Sequence, residues 1–411
     1  MNPSHSNYPR PRLRRSSWID LNGDWEFART KSSQFLHGFS TTITVPFCVE
    51  SSASGLGWRV EADDFLHYHR QFSVHHDKNE RVLLHFQAVD QAIDIYLNHH
   101  FVGHHSGGYS SFCFDVTDFA IPGKNSLYCI VTDETERSEL SRGKQRLNNT
   151  GTMRHIFYTP TSGIWQTVWL ETVCENFIQD LDLQGNLDHQ SMQIHIHTPE
   201  TAEAQLTVRF KGVTVLETAL QTNKEHELAL ENPHPWSPEH PDLYDVDIQC
   251  GPDHVTSYIA LRTVSIVRDP KGIKRFALNN QPYYMNGILD QGYWPDSLLT
   301  PPHPLALAED IQTMKEAGFN TIRKHVKVED EQFYYLCDTL GMLVWQDMPN
   351  GGKDYDFKLV SYLPNLSDFL SRHLKDTNYR RFGREDAAGR ALYHTELEAM
   401  ITQLKHYPSI I

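Results

Sequence analysis

From residue 16 to residue 175 the apolar residues fall in short runs bounded by turn formers, which predicts an all-β unit. "AIDIYLN" alternates with a period of two: Ile93, Ile95 and Leu97 take one face, Asp94 and Tyr96 the other. "RVLLHFQAVDQAIDIYLNHHFVGHH" reads as two strands that break near Asp90 and Gln91, with Asn98 and two histidines at a hairpin tip. "SSWIDLNGDWEFAR" carries an Asn-Gly turn between short aromatic runs. "FCFDVTDFAIPGKNSLYCIVTDE" gives two more strands. Ile164, Trp165, Val168, Trp169 and Leu170 mark a strongly apolar strand behind a Thr-Ser-Gly turn. The spacing predicts a β-sandwich, a jelly roll, over residues 1–175. Residues 176–266 repeat the pattern in "MQIHIHT", "AQLTVRFKG", "VTVLETALQ" and "SYIALRTVSIV", as a small immunoglobulin-like sandwich would. "NPHPWSPEHP" must be a loop there, because proline removes ladder donors.

After "RDPKGIKRFALNNQPYYMNG", which reads as a linker and entry hairpin, the period changes. Three short apolar runs, "YYMNGILD", "FNTIRKH" and "MLVWQDM", are separated by patterns of spacing three and four. Leu305, Leu307, Ile311, Met314 and Ala317 mark one helix, and Phe333, Leu336, Cys337 and Leu340 the next. Strand alternating with helix predicts a parallel α/β unit over residues 267–411. Residues 350–386 read as a loop excursion with one short helix. A helix follows with an apolar face of Ala391, Leu392, Leu397, Met400, Ile401 and Leu404, and "PSII" opens a fourth strand.

In a parallel barrel the residues just past the strand ends gather at one mouth. Here they are Asp290, Gln291, Trp294, Arg323, His325, Trp345, Gln346 and Asp347. Carboxylates, amides, a guanidinium and indoles together suit a sugar, since indole faces stack on C–H surfaces and polar groups bond hydroxyls. Each also has a structural reading: Asp347 as a loop cap, Trp294 and Trp345 as core, Arg323 in an ion pair, His325 as loop support.

Composition narrows the partners. The 37 basic and 52 acidic residues give a net charge of −15, which argues against nucleic acid or an anionic membrane. The sequence has neither an eighteen-residue apolar run nor an N-terminal apolar segment, so it predicts no membrane span and no secretory signal. "RPRLRR", residues 10–15, reads as a solvated arm. Six scattered cysteines without CxxC spacing read as reduced and mostly buried, in a cytoplasmic protein. The 24 histidines include adjacent pairs near turns, with no helix placing two at a spacing of four, so no metal site and no cofactor is predicted.

"NGDWEF", "VPFCVESSASGL", "SGIWQTVWLE", "LDQGYWPD", "FNTIRKHVKVE" and "VWQDMP", in this order, resemble glycoside hydrolase family 2, from about Trp18 to the last residue. The resemblance implies a multidomain fold: jelly roll, immunoglobulin-like sandwich, then a (β/α)8 barrel, here incomplete. It also implies retaining hydrolysis of a β-glycoside or oligosaccharide by two glutamates. In that family the acid/base glutamate follows an asparagine after the fourth barrel strand, and the nucleophile lies near the seventh. The sequence stops at "HYPSII", at the start of strand four, so neither is expected here and no catalytic residue is assigned. Asp290 and Asp347 correspond to substrate-binding positions. A barrel fragment leaves strand edges and an apolar interior unpaired, so the reading expects an oligomer, a complementing chain or partial misfolding. The alternative is a non-catalytic carbohydrate-binding or interaction protein using the jelly roll, with Trp58 and Tyr109 as candidate aromatics.

Overall fold

The computed structural model describes residues 8–147, 157–353, 355–356, 358–366, 369, 372, 375 and 377–411. Residues 1–7 and 148–156 of the expected first unit, and parts of the excursion expected over 350–386, lie outside the described residues.

The first twelve strands are β1 (Ile19–Asp20), β2 (Gly23–Thr30), β3 (Thr41–Val45), β4 (Phe65–Val74), β5 (Glu80–Phe86) and β6 (Val89–Asp90), then β7 (Ala92–Leu97), β8 (His100–Ser106), β9 (Phe112–Asp115), β10 (Gly123–Thr132), β11 (Gly163–Ile164) and β12 (Val168–Cys174). They form a six-stranded sheet in the order β3-β2-β4-β10-β7-β8 and a four-stranded sheet in the order β1-β12-β5-β9, with β6 and β11 as a small separate pair. Ile93, Ile95 and Leu97 point into the core between the sheets, as the alternation requires. Asn98 and His99 take positive φ at the tip of the β7–β8 hairpin. The Asn-Gly turn does not close a hairpin. β1 pairs with β12 and β2 with β3 and β4, so the chain changes sheets there. Tyr109 is buried, and Trp58 packs against the first core beneath the Arg29 guanidinium, so neither is an exposed aromatic platform.

The next eight strands are β13 (Asp180–Asn186), β14 (Ser191–His197), β15 (Glu203–Phe210), β16 (Val213–Gln221), β17 (Glu225–Ala229), β18 (Tyr244–Cys250), β19 (Asp253–Ile259) and β20 (Leu261–Arg262). They make two four-stranded sheets, β17-β14-β13-β20 and β16-β15-β18-β19, closed over a second core. β21 (Val264–Arg268), β22 (Lys274–Leu278) and β23 (Gln281–Pro282) form an antiparallel sheet that leads to β24 (Gly287–Asp290), β25 (Thr321–Lys324) and β26 (Leu343–Gln346), which are parallel.

Helix α1 (Ala306–Glu316) buries Leu307 and Ile311, and α2 (Glu331–Leu340) buries Phe333 and Cys337, at the predicted spacings. The Asp330 side chain caps α2 by accepting from the Gln332 N–H at 2.8 Å. Gly341 ends it with φ 75°. Both helices pack in a third core that also takes Cys48, Ala88, Tyr109 and Trp165 from the first sandwich and Tyr258 from the second. After the short α3 (Leu363–Leu366), α4 (Ala387–Leu404) buries Met400, Leu404 and Glu396. Leu392 and Ile401 of its predicted apolar face are exposed instead. The Glu396 carboxylate accepts from the Ser141 hydroxyl at 2.8 Å, and that polar contact sets the helix rotation. Ile410 then bridges to Val344 in parallel, next to β26.

The "RPRLRR" arm is not solvated. Arg12, Leu13 and Arg15 are buried, because Arg15 ties Glu171 of the first sandwich to Asp253 of the second, at 2.6 and 2.8 Å. Buried carboxylates draw the cation in, since neither can stay unpaired in the interior. Among the cysteines, all are free, but Cys113 is exposed and Cys174 half-buried.

Candidate functional site

The parallel strands place Leu289, Arg323 and Trp345 side by side, and Asp290, Lys324 and Gln346 side by side one residue later. Period two sends Ile288, Ile322 and Val344 toward the helices and the third core. The row on the other face is open: Leu289 is 50% and Trp345 44% exposed.

Behind the strand ends lies a buried charge network. The Lys324 ammonium donates to Asp290, and to Glu329 at 2.9 Å. Lys327 donates to Glu329 at 2.6 Å and to the carbonyls of Gly292 and Leu299 at 2.8 and 2.7 Å. Its ammonium also lies 4.9 Å from the centre of the Trp294 ring. The segment after β24 is therefore pinned at Gly292 and at Leu299 to one lysine. Gly292 permits this approach: its φ is 61°, and a Cβ there would collide with Glu329 and Lys327. Burial opposes ionisation of Asp290, but the Lys324 charge brings its carboxyl below the usual range. Burial pushes the Lys327 ammonium down to about 8, against the pull of Glu329.

In front lies a solvent-facing cluster. Arg323 forks onto Asp347, with Nε to Oδ1 at 3.1 Å and Nη2 to Oδ2 at 3.0 Å. His325 Nδ1 lies 2.6 Å from the same Oδ2. Burial would raise the Asp347 carboxyl, and the bonds from Arg323 and His325 lower it below its ordinary value. A cavity of about 470 Å³ opens beside it, lined by Asp290, Gln291, Trp294, Tyr293, Tyr158 and Asp310 among others. Tyr158 and Tyr293 stack with centroids 4.2 Å apart. Gln291 Oε1 and the Tyr293 hydroxyl are buried with no hydrogen-bond partner among the described residues.

Asp290, Gln291 and Trp294 thus share the cavity wall, Arg323, His325 and Asp347 form one hydrogen-bonded group, and Trp345 stands exposed on the open sheet face. Gln346 is different. It accepts from the Tyr334 hydroxyl at 2.7 Å and donates to the carbonyls of Lys327 and Asp347 at 2.8 Å, so its side chain fastens the strand ends. Lys324, Lys327, Glu329, Tyr158 and Tyr293 were not singled out from the sequence. The available signal was Lys324, Lys327 and Glu329 interleaved with the apolar residues of "TIRKHVKVE"; all three are buried, Lys324 on β25 and the other two in the segment after it. Asp290 and Asp347 are both held ionised by cations, which suits binding hydroxyls and not donating a proton.

The model for the glycosyl hydrolases family 2 sugar binding domain matches residues 39–170, and the glycosyl hydrolases family 2 model matches residues 172–262. A β-galactosidase from Thermoanaerobacter pseudethanolicus is 24% identical over 364 residues, covering 84% of this chain and 43% of that protein. A putative β-glucuronidase from Formosa agariphila is 23% identical over 315 residues, covering 69% and 34%. The chain therefore spans less than half the length of these curated relatives. Among solved structures, the β-D-glucuronidase of Dictyoglomus thermophilum shares the fold at a TM-score of 0.75 and 21% identity, over 98% of this chain and 67% of that one. The Ruminococcus gnavus β-glucuronidase, solved with D-glucuronic acid, does so at 0.74 and 19%, over 97% and 67%. With both sandwiches matched in order by the family's own models, the chain belongs to glycosyl hydrolase family 2.

Proposed function

We propose that this chain serves the hydrolysis of β-linked glycosides and that residues 267–411 supply the substrate-positioning wall of the sugar site, as part of a (β/α)8 barrel. On this reading residues 1–175 are the jelly-roll domain and residues 176–266 the immunoglobulin-like domain. The observation that carries the reading is the Arg323–Asp347–His325 group at the ends of parallel strands, beside a cavity lined by Asp290, Gln291, Tyr293 and Trp294. Asp347 presents a fixed carboxylate to sugar hydroxyls, Gln291 and Asp290 accept at the cavity wall, and Trp294 and Trp345 offer ring faces. Retaining chemistry needs two carboxyl groups about 5–5.5 Å apart, one with a raised pKa to act as acid. The lowered carboxyls of Asp290 and Asp347 assign neither to that role.

Calorimetric titration of the chain with methyl β-galactoside, β-glucuronide and β-mannoside tests this. At least one should bind, and Asp347→Asn should weaken it about tenfold or more, the usual cost of losing a charged hydrogen-bond partner. Binding by none of the three would overturn the reading. Turnover of the matching aryl glycosides that disappears in Asp347→Asn would overturn the assignment of Asp347 as a binding group.

A further inference from the structure

The outer face of the second sandwich carries a cluster that sugar hydrolysis does not use. Leu181, Leu183, Ile194 and Ile196 point into the second core, so the pleat turns Asp182, His195 and His197 outward together. Asp182 and His195 are direct cross-strand partners on β13 and β14, and His197 follows two residues along. One ligand atom from each of the three lies within 4.8 Å of those of the other two. Asp182 Oδ2 is 2.8 Å from His197 Nε2, and the two imidazoles stack with centroids 3.9 Å apart. The other carboxylate oxygen is held separately: Oδ1 lies 2.6 Å from His406 Nε2 and 2.8 Å from Lys405 Nζ, just past the end of α4. Arg12 in turn donates to the His406 carbonyl.

We propose that Asp182, His195 and His197 form a binding site for a divalent transition metal of the zinc class. Two imidazoles and one carboxylate are the donor set that Zn²⁺ takes, with water completing the coordination. Mg²⁺ and Ca²⁺ prefer oxygen-only ligands, so the imidazoles select against them. The histidines need no helix, because a period of two puts residues 195 and 197 on one strand face. His406 acts as the positioning residue: its bond to Oδ1 orients the carboxylate so that Oδ2 faces the imidazoles. A bound ion joins the β13–β14 strand pair, through Asp182 and His406, to the segment that carries Ile410 to β26. It stabilises that junction by mass action.

The test is calorimetry of the EDTA-stripped full chain with ZnCl₂, and with MgCl₂ in parallel. One zinc should bind per chain and raise the melting temperature, while magnesium does neither. His195→Gln and His197→Gln should each abolish both effects, and His406→Gln should weaken binding about tenfold. Co²⁺ should give the visible absorption of a low-coordinate nitrogen–oxygen site, lost in the same variants. Melting of each metal-free variant checks its folding, and the two histidine substitutions are read separately, so loss of one protein leaves the other decisive. Zinc uptake unchanged in the folded histidine variants, no uptake by the parent chain, or equal binding of magnesium would overturn the proposal.

Discussion

Two arginines in this chain make the same forked contact with an aspartate, and their surroundings give the contacts opposite meanings. Arg15 reaches Asp253 through Nε and Nη2 at 2.9 and 2.8 Å, with side chains 6% and 5% exposed. Arg323 reaches Asp347 at 3.1 and 3.0 Å, with side chains 51% and 22% exposed. The first fork is buried: Arg15 also bonds Glu171 at 2.6 Å and the Ile178 carbonyl at 2.7 Å, so its donors are already taken by the protein. The second is partly exposed to solvent. A buried fork fixes two domains against each other; an exposed one presents an oriented carboxylate that a ligand can still reach.

The largest effect should come from breaking the buried fork. Arg15→Ala leaves Glu171 and Asp253 buried without their guanidinium, and should cost roughly 3–5 kcal/mol. Urea unfolding followed by tryptophan fluorescence measures it, with a local reporter in Trp169, whose indole donates to Glu171 at 3.0 Å. Arg15→Lys should recover only part, because one ammonium cannot span both carboxylates with a planar fork. A loss below about 1 kcal/mol, the range of exposed pairs, would show that the arm is not a clamp.

The contrast also explains what could be read from the sequence. Ile93, Ile95 and Leu97 and the α2 residues Phe333 and Cys337 declared themselves by period, since burial follows alternation or helical spacing. The Arg15 clamp did not. Its partners are 156 and 238 residues away, and a short basic run carries no sign of the carboxylates that meet it. The α4 face was misjudged for a related reason: Glu396 is turned inward by Ser141, 255 residues distant. At the candidate site, the residues at strand ends follow from motif order and period. The lysines beneath them depend on register with β24 and on the Gly292 turn, which periodicity does not encode. His195 and His197 were likewise visible in "MQIHIHT", but Asp182 joins them only through strand pairing.

Next in size is the acid response of the clamp. Burial disfavours the Glu171 carboxylate, and His85, Arg15 and Arg10 nevertheless bring its pKa down to about 2. A depressed folded value means the unfolded chain binds the proton first. The stabilisation is therefore complete above the ordinary glutamate value and disappears as pH falls through about 2. A shift of that size corresponds to about 3 kcal/mol. Glu171→Gln should flatten the acid limb of a stability–pH profile. Glu50 should give the opposite slope. Burial raises it to about 8, so the folded state keeps a proton that the unfolded chain releases, and its contribution is lost as pH rises toward 8. Glu50→Gln should remove that decline between the ordinary glutamate value and about pH 8, and identical slopes in the variant and parent would contradict the assignment.

The smallest stability effect should come from the exposed fork, and there its smallness is the informative result. Arg323→Ala removes a pair that water screens, so the loss should stay below about 1 kcal/mol and shrink further in high salt. The same substitution frees Asp347 to rotate, leaving His325 Nδ1, at 2.6 Å, as its remaining side-chain tether among the described residues. Affinity for the bound glycoside should then fall several-fold more than stability does. Urea unfolding and calorimetry on the same preparation give both numbers. A stability loss as large as that of Arg15→Ala would place Arg323 with the buried clamps, because only a group whose carboxylate partner cannot hydrate costs that much to remove.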